Sequence, residues 1–205
     1  MGGQRWDMSD ISADRIMGMN IGYLTANRTS SGDECYTPFY AVEPLLEFLP
    51  KDKTIWCPFD EEWSAFYQLL SEKGFNVVRS SLKEGQDFFE YEPNNWDILA
   101  SNPPFSKKDE ILKRAISFQK PFALLLPVNS IQSKKRYGIW GNNIQMLCFD
   151  GRISYHTHGN MQQAMNGIHF GSAYFCRDIL PTKLELRQLV KYDRPLVTLS
   201  DGGDE

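Results

Sequence analysis

Hydrophobic residues change their period several times along this chain, and each change marks an element. Phe39, Val42, Leu45, Leu46 and Leu49 recur at helical spacing, after Thr37-Pro38 and before Pro50. That pattern predicts a helix opened by one proline and ended by another. Thr54–Phe59 is a short apolar run bounded by polar residues and reads as a strand. Helical spacing returns over Glu61–Lys73 through Phe66, Leu69 and Leu70; Asp60 or Ser64 can cap this helix and Gly74 can end it. Phe75–Arg79 predicts a second strand that exits at Ser80-Ser81. Lys83-Glu84-Gly85 turns the chain, Asp87-Phe88-Phe89 is a short third apolar element, and Trp96–Ser101 is a fourth. Ser106 can cap a helix running through Phe118, and Pro121–Val128 predicts a fifth strand. Strands alternating with helices indicate an α/β chain with a mostly parallel sheet covered on both faces.

The pattern differs at the two ends. Residues 1–32 are polar, with one modest helical pattern over Ile11–Met19, and read as an N-terminal arm before a single domain over 33–200. In the last third, Ile144–Phe149, Ile153–His156 and His169–Cys176 are strand-like, joined by Asp150-Gly151 and by the polar stretch His158–Gly167. These predict antiparallel strands that close the sheet. Leu184–Val190 predicts a final helix, and Asp201–Glu205 an acidic, solvated tail.

Composition narrows the class. With 205 residues the chain can bury a sizeable core. The formal net charge of −4 excludes a surface coated in phosphate-binding charge but permits a local basic face. Two basic clusters could form one: Lys107-Lys108 with Lys113-Arg114, and Lys134-Lys135-Arg136. Either could equally be a solvated surface. Cys35, Cys57, Cys148 and Cys176 lack C-x-x-C spacing, so free thiols in a reducing cytoplasm are expected. No stretch reaches the roughly 20 apolar residues of a membrane span, and no secretory signal is visible. His156 and His158 have no third partner at metal-ligand spacing, so no metal site is expected, and His169 reads as a residue packed in the sheet.

The most informative stretch is Trp96-Asp97-Ile98-Leu99-Ala100-Ser101-Asn102-Pro103-Pro104-Phe105. Two prolines cannot donate to a ladder, so the strand stops there, and Asn102, which precedes a proline, is held extended. The result is a rigid platform carrying an amide side chain, unclaimed carbonyls and an aromatic face. Those parts can hold a planar amino-bearing group by its edge and its face. In an open α/β sheet the ligand site lies beyond the carboxyl ends of the strands. The sheet would gather there Pro58-Phe59-Asp60, Ser80-Ser81, Asp87-Phe88 and Asn102–Phe105.

The order Tyr36-Thr37-Pro38, Pro58-Phe59-Asp60, Asp87-Phe88-Phe89, Asn102-Pro103-Pro104-Phe105 resembles the S-adenosylmethionine-dependent N6-adenine DNA methyltransferases, and more closely their small single-domain phage forms. The resemblance covers roughly residues 33 to 180. It implies a Rossmann-like methyltransferase fold with a seven-stranded, mostly parallel sheet, helices on both faces and an antiparallel C-terminal hairpin. It implies a phage or bacterial enzyme that acts on DNA. It assigns catalysis to Asn102, Pro103, Pro104 and Phe105: the Asn102 side-chain oxygen and the Pro103 carbonyl accept from the acceptor amine, and Phe105 stacks on the base. It places Pro58, Phe59 and Asp60 beside the methionine and ribose of S-adenosyl-L-methionine, Asp87 and Phe88 at its adenine, and Tyr36, Thr37 and Pro38 over its methionine end. Lys107, Lys108, Lys134, Lys135 and Arg136 would meet the DNA backbone, and Gln162, Gln163 and Asn166 could read base edges.

The chain departs from the family twice. Asp60-Glu61-Glu62-Trp63-Ser64 contains no glycine where a glycine-rich loop is usual, and Ser80-Ser81 stands where an acid usually holds the ribose hydroxyls. A serine hydroxyl or Asp60 would have to substitute. Plainer readings stand beside these. Asp60 can be a helix cap, Asp87 a turn former, Thr37-Pro38 a simple helix entry. The same amine platform also suits methyl transfer to RNA, to an exocyclic guanine nitrogen or to a protein glutamine amide. A non-catalytic nucleic-acid-binding relative would keep the fold and lose the cofactor.

Overall fold

A computed structural model describes residues 35–164 and 170–197. The predicted arm with its Ile11–Met19 helix, Asn166, His169 and the acidic tail lie outside the described residues.

The first helix, α1 (Phe39–Leu46), starts directly after Pro38, whose fixed φ suits a helix entry. It is followed by β1 (Thr54–Cys57), α2 (Ala65–Glu72) and β2 (Asn76–Arg79). Gly74 takes φ +75° between α2 and β2, a conformation that costs glycine little. A 3₁₀ turn (Leu82–Glu84) leads on to β3 (Ile98–Ser101), a second 3₁₀ turn (Phe105–Lys107), α3 (Lys108–Ser117) and β4 (Phe122–Pro127). A third 3₁₀ turn (Val128–Ile131) and α4 (Lys134–Trp140) precede β5 (Gln145–Phe149), β6 (Ser172–Arg177) and β7 (Leu184–Arg187).

The seven strands form one sheet in the order β2-β1-β3-β4-β6-β5-β7. Neighbours β2-β1, β1-β3, β3-β4 and β5-β7 are parallel; β6 runs antiparallel to both β4 and β5. This is the predicted mixed α/β sheet with its C-terminal antiparallel pair. Alternate strand residues feed two cores. Ile55, Cys57, Ile98, Ala100, Ala123, Leu125, Tyr174 and Cys176 face α1 and α2. Trp56, Leu99, Phe122, Leu124, Leu126, Ala173 and Phe175 face α3 and Trp140 of α4. Trp56 centres an aromatic cluster with Phe88, Trp96 and Phe118 at 5.0–5.7 Å between ring centroids. A short strand buried on both faces is apolar at nearly every position, which explains why β1, β3 and β4 read as near-continuous runs; the buried polar exception, Ser101 at the end of β3, has a hydrogen-bond partner.

Four expectations are corrected. Leu184–Val190 is not a helix: Leu184–Arg187 is the edge strand β7. Its alternation is of period two, and Glu185 and Arg187, two residues apart, pair at 3.1 Å on one side of the strand, where a helix would turn them apart. Asp87-Phe88-Phe89 is a turn, because the Asp87 carbonyl accepts from Glu90 N and Tyr91 N at 2.9 and 2.7 Å. Ile153–His156 pairs only at His156, which exchanges two 2.9 Å backbone hydrogen bonds with Tyr36. Ser106 does not cap α3 but sits inside the 3₁₀ turn ahead of it, while Ser64 does precede α2 directly and spends its hydroxyl on Glu61 N.

All four cysteines are free thiols; Cys57 and Cys176 are buried, Cys35 and Cys148 only partly. Among the described residues no helix is long and apolar enough to cross a membrane.

Candidate active site at the carboxyl edge of the sheet

The chain runs from β1 out to β2 on one side and returns to β3 on the other side of β1. Strand order therefore reverses between β1 and β3, and the crevice beyond their carboxyl ends is where such sheets take ligands. Asp60 follows β1 and Asn102 follows β3, so the two flank the reversal.

A buried hydrogen bond ties Asp60 to the end of β3, one residue before Asn102. Ser101 Oγ, on the last residue of β3, donates to Asp60 Oδ2 at 2.5 Å. Asp60 N also donates to Ser80 O at 3.2 Å, and Ser80 N to Cys57 O at 3.0 Å. The exits of β1, β2 and β3 are thereby fixed to one another. Asp60 is 5% exposed, and burial pushes its carboxyl up to about 7, with hydrogen bonds from Ser101 and Ser64 pulling it part of the way back. The loop that lacks glycine closes on itself instead: Glu61 N donates to Ser64 Oγ at 2.9 Å and Ser64 N to Glu61 O at 3.0 Å.

Asn102 is oriented from the other side. Its Nδ2 donates to the Cys35 carbonyl at 2.6 Å. A carbonyl can only accept, so this contact determines which end of the amide is which. Asn102 Oδ1 is left buried with no hydrogen-bond partner. Such an acceptor costs roughly 1–3 kcal/mol unless a donor arrives. Pro103 is buried, and Pro104 and Phe105 are half-buried. The Phe105 ring meets Phe170 edge-on at 5.7 Å, and Lys108 Nζ donates to the Phe105 carbonyl at 3.0 Å, bracing the turn from α3.

The remaining predicted residues differ in what their polar atoms meet. Thr37 and Ser81 are buried with unpartnered hydroxyls. Gln86, which was not predicted, also carries an unpartnered buried Oε1. Ser80 is committed to structure, since its hydroxyl accepts from Trp56 Nε1 at 2.9 Å. Asp87 Oδ1 accepts from Phe89 N at 3.0 Å, and Phe88 is buried 4.8 Å from Phe59. Pro58 and Pro38 are buried, whereas Phe59 and Tyr36 are half-buried, Tyr36 edge-on to Trp63 at 4.8 Å.

The basic clusters separate in the same way. Lys135 and Arg136 of α4 pair with Asp109 of α3 at 2.8 and 3.1 Å, and Arg136 Nε donates to Ser130 O at 2.6 Å. These two join α3 to α4. Lys107 lies 5.7 Å from the Phe89 ring, and Lys107 and Lys134 are exposed. Arg114 donates to Tyr91 O and covers the Phe118 ring. His156 is buried, burial holds its imidazole below the usual histidine range, and its Nδ1 has no partner. Among the described residues no three His, Cys, Asp or Glu side chains group to hold a metal ion.

Ser101, Gln86 and the Cys35 carbonyl are the site features that the sequence pattern did not single out. Gln86 had one available signal, its place beside Asp87. A backbone carbonyl has none.

No protein-family model and no curated protein matches this chain. Among solved structures, the methyltransferase subunit of a type I restriction-modification system from Streptococcus thermophilus superposes with a TM-score of 0.47 and 11% identity. The superposition covers 82% of this chain and 50% of that one, so this chain spans about half that subunit's length.

Proposed function

We propose that this protein is a methyltransferase that transfers a methyl group from S-adenosyl-L-methionine to the N6 amine of adenine in DNA. The observation that carries this reading is Asn102: its amide is oriented by the Cys35 carbonyl, and its buried oxygen awaits a donor at the point where strand order reverses. A planar aromatic amine has two N–H donors, and its lone pair is delocalised into the ring. Asn102 Oδ1 and the Pro103 carbonyl accept those two hydrogens and favour a pyramidal nitrogen whose lone pair points out of the ring plane. Phe105 supplies a face for the base, and base–aromatic stacking is worth roughly 1–3 kcal/mol. That offsets much of the few kcal/mol needed to draw a base out of a duplex.

The residues across the reversal fit an adenosyl cofactor, which supplies an electrophilic methyl on a sulfonium. Thr37, Ser81 and Gln86 bring unpartnered buried oxygens, and Asp60 a buried carboxyl. The chain's own contribution is orientation and fixed dipoles, since acceptors already in place need no reorganisation during reaction. Lys107 and Lys134 are the cations offered to the DNA backbone, with Lys108 shared with the Phe105 carbonyl and Lys135 and Arg136 with Asp109.

The test leaves the acceptor open. The protein is incubated with S-adenosylmethionine labelled in the methyl group and an equal mixture of mixed-sequence DNA, RNA and denatured protein. Label on DNA supports the reading. Label on RNA or protein replaces the acceptor, and no label on any of the three refutes methyl transfer.

A further inference from the structure

We propose that Ser81 and Gln86 together form an uncharged ribose-diol subsite, in place of the acidic side chain that usually binds a nucleotide's ribose in a sheet of this kind. The inference rests on the adenosyl-cofactor reading above. In nucleotide-binding α/β sheets the ribose hydroxyls are commonly met by an Asp or Glu about 20 residues beyond the first βα turn. Here the five carboxylates on the β1 and β2 exit loops nearest that position each already have a partner. Glu84 and Glu62 are held by Arg79 at 2.6 and 3.0 Å, and Glu61 by Lys83 at 2.7 Å. Asp87 is taken by Phe89 N at 3.0 Å and Asp60 by Ser101 at 2.5 Å.

Two neutral acceptors remain, and the backbone brings them side by side. Ser81 lies two residues beyond the end of β2, in extended backbone. The 3₁₀ turn Leu82–Glu84 then reverses the chain through Gly85 at φ +76°, and Gln86 N donates back to Ser81 O at 3.1 Å. Ser81 is 5% exposed, yet its Oγ has no partner, and neither has the buried Gln86 Oε1. Buried polar atoms are normally satisfied, so two orphans on one turn at the ligand edge of a sheet need an explanation. A vicinal diol offers two O–H donors, which is what two acceptors require. Being uncharged, the pair holds the diol less tightly than a carboxylate would, because charge-assisted hydrogen bonds are roughly twice as strong.

The test is calorimetric titration with S-adenosylhomocysteine and with its 2′,3′-dideoxy analogue, on the wild-type protein, Ser81→Ala, Gln86→Ala and Gln86→Glu. Each alanine variant is expected to weaken S-adenosylhomocysteine binding by roughly three- to tenfold and to leave the dideoxy analogue's affinity unchanged. Gln86→Glu is expected to bind S-adenosylhomocysteine more tightly than wild type at pH 8. The unliganded melting temperature should not fall in either alanine variant, because neither oxygen has a partner to lose. Equal binding by wild type and both alanine variants overturns the diol assignment, as does a penalty that persists with the dideoxy analogue. A wild-type protein that binds no S-adenosylhomocysteine overturns the cofactor reading itself, and the diol assignment with it.

Discussion

Replacing Asp60 by Asn should stabilise the protein, and by an amount that grows with pH. In the native state burial raises the Asp60 carboxyl from 3.8 to about 7. Between those values the native protein holds a proton that the unfolded chain has lost, so stability falls as pH rises through that window and levels off above it. At roughly 1.4 kcal/mol per pH unit, the raised carboxyl lowers native-state stability by about 4 kcal/mol at pH 8, where it is ionised, and by about 2 kcal/mol at pH 5, where it keeps a proton that the unfolded chain has released. Asn keeps the shape and an oxygen to accept from Ser101 Oγ, but it cannot ionise. Asp60→Asn should therefore exceed wild type in unfolding free energy by about 4 kcal/mol at pH 8 and about 2 kcal/mol at pH 5. Urea unfolding followed by tryptophan fluorescence measures both, since Trp56 is buried beside this strand exit. The same offset at both pH values, or a less stable variant at pH 8, would refute the argument. A carboxyl retained at such a cost, one hydrogen bond from the residue before Asn102, also predicts that Ser101→Ala impairs methyl transfer more than it impairs folding.

Other outcomes follow from contacts elsewhere. Tyr174→Phe removes a buried 2.9 Å hydrogen bond to the Ala41 carbonyl and should cost about 1–2 kcal/mol in urea unfolding. Asp109→Ala breaks the link between α3 and α4 and should cost about 1 kcal/mol at neutral pH. Its partners Lys135 and Arg136 hold the Asp109 carboxyl below the usual carboxylate range, so this difference is present above that range and shrinks as pH falls through the lowered native value. Lys107→Ala and Lys134→Ala should weaken DNA binding by a similar factor on every sequence and each lower the salt slope by about 1, read by fluorescence anisotropy.

Local chemistry was legible in the sequence; long-range pairing was not. Pro38, Gly74 and Asn102-Pro103-Pro104 mark element boundaries because each restricts or frees its own backbone, and the structure has boundaries at all three. Leu184–Val190 misled because Leu-Glu-Leu-Arg suits a helix by propensity, while the exposed edge of β5 offers it a parallel ladder. Tertiary context decided that element. Asp87-Phe88-Phe89 misled in the opposite way: apolar residues suggested an element, yet Phe88 enters the Trp56 cluster from a turn that Asp87 itself closes. In the site, the amine-holding residues lie within one tetrapeptide and could be read directly. Their orientation depends on Cys35, 67 residues away, and on Asp60, 41 residues before Ser101, so only the fold reveals it.

The central claim is that Asn102 presents an acceptor to an adenine amine. The direct measurement is nucleoside mass spectrometry of DNA lacking N6-methyladenine, after incubation with S-adenosylmethionine and either wild-type protein or Asn102→Ala. The account predicts N6-methyladenine with wild type and a loss of at least about a hundredfold with Asn102→Ala, on the scale of removing a preorganised hydrogen-bonding group from a transition state. Equal N6-methyladenine with both proteins, or none with wild type, would contradict it.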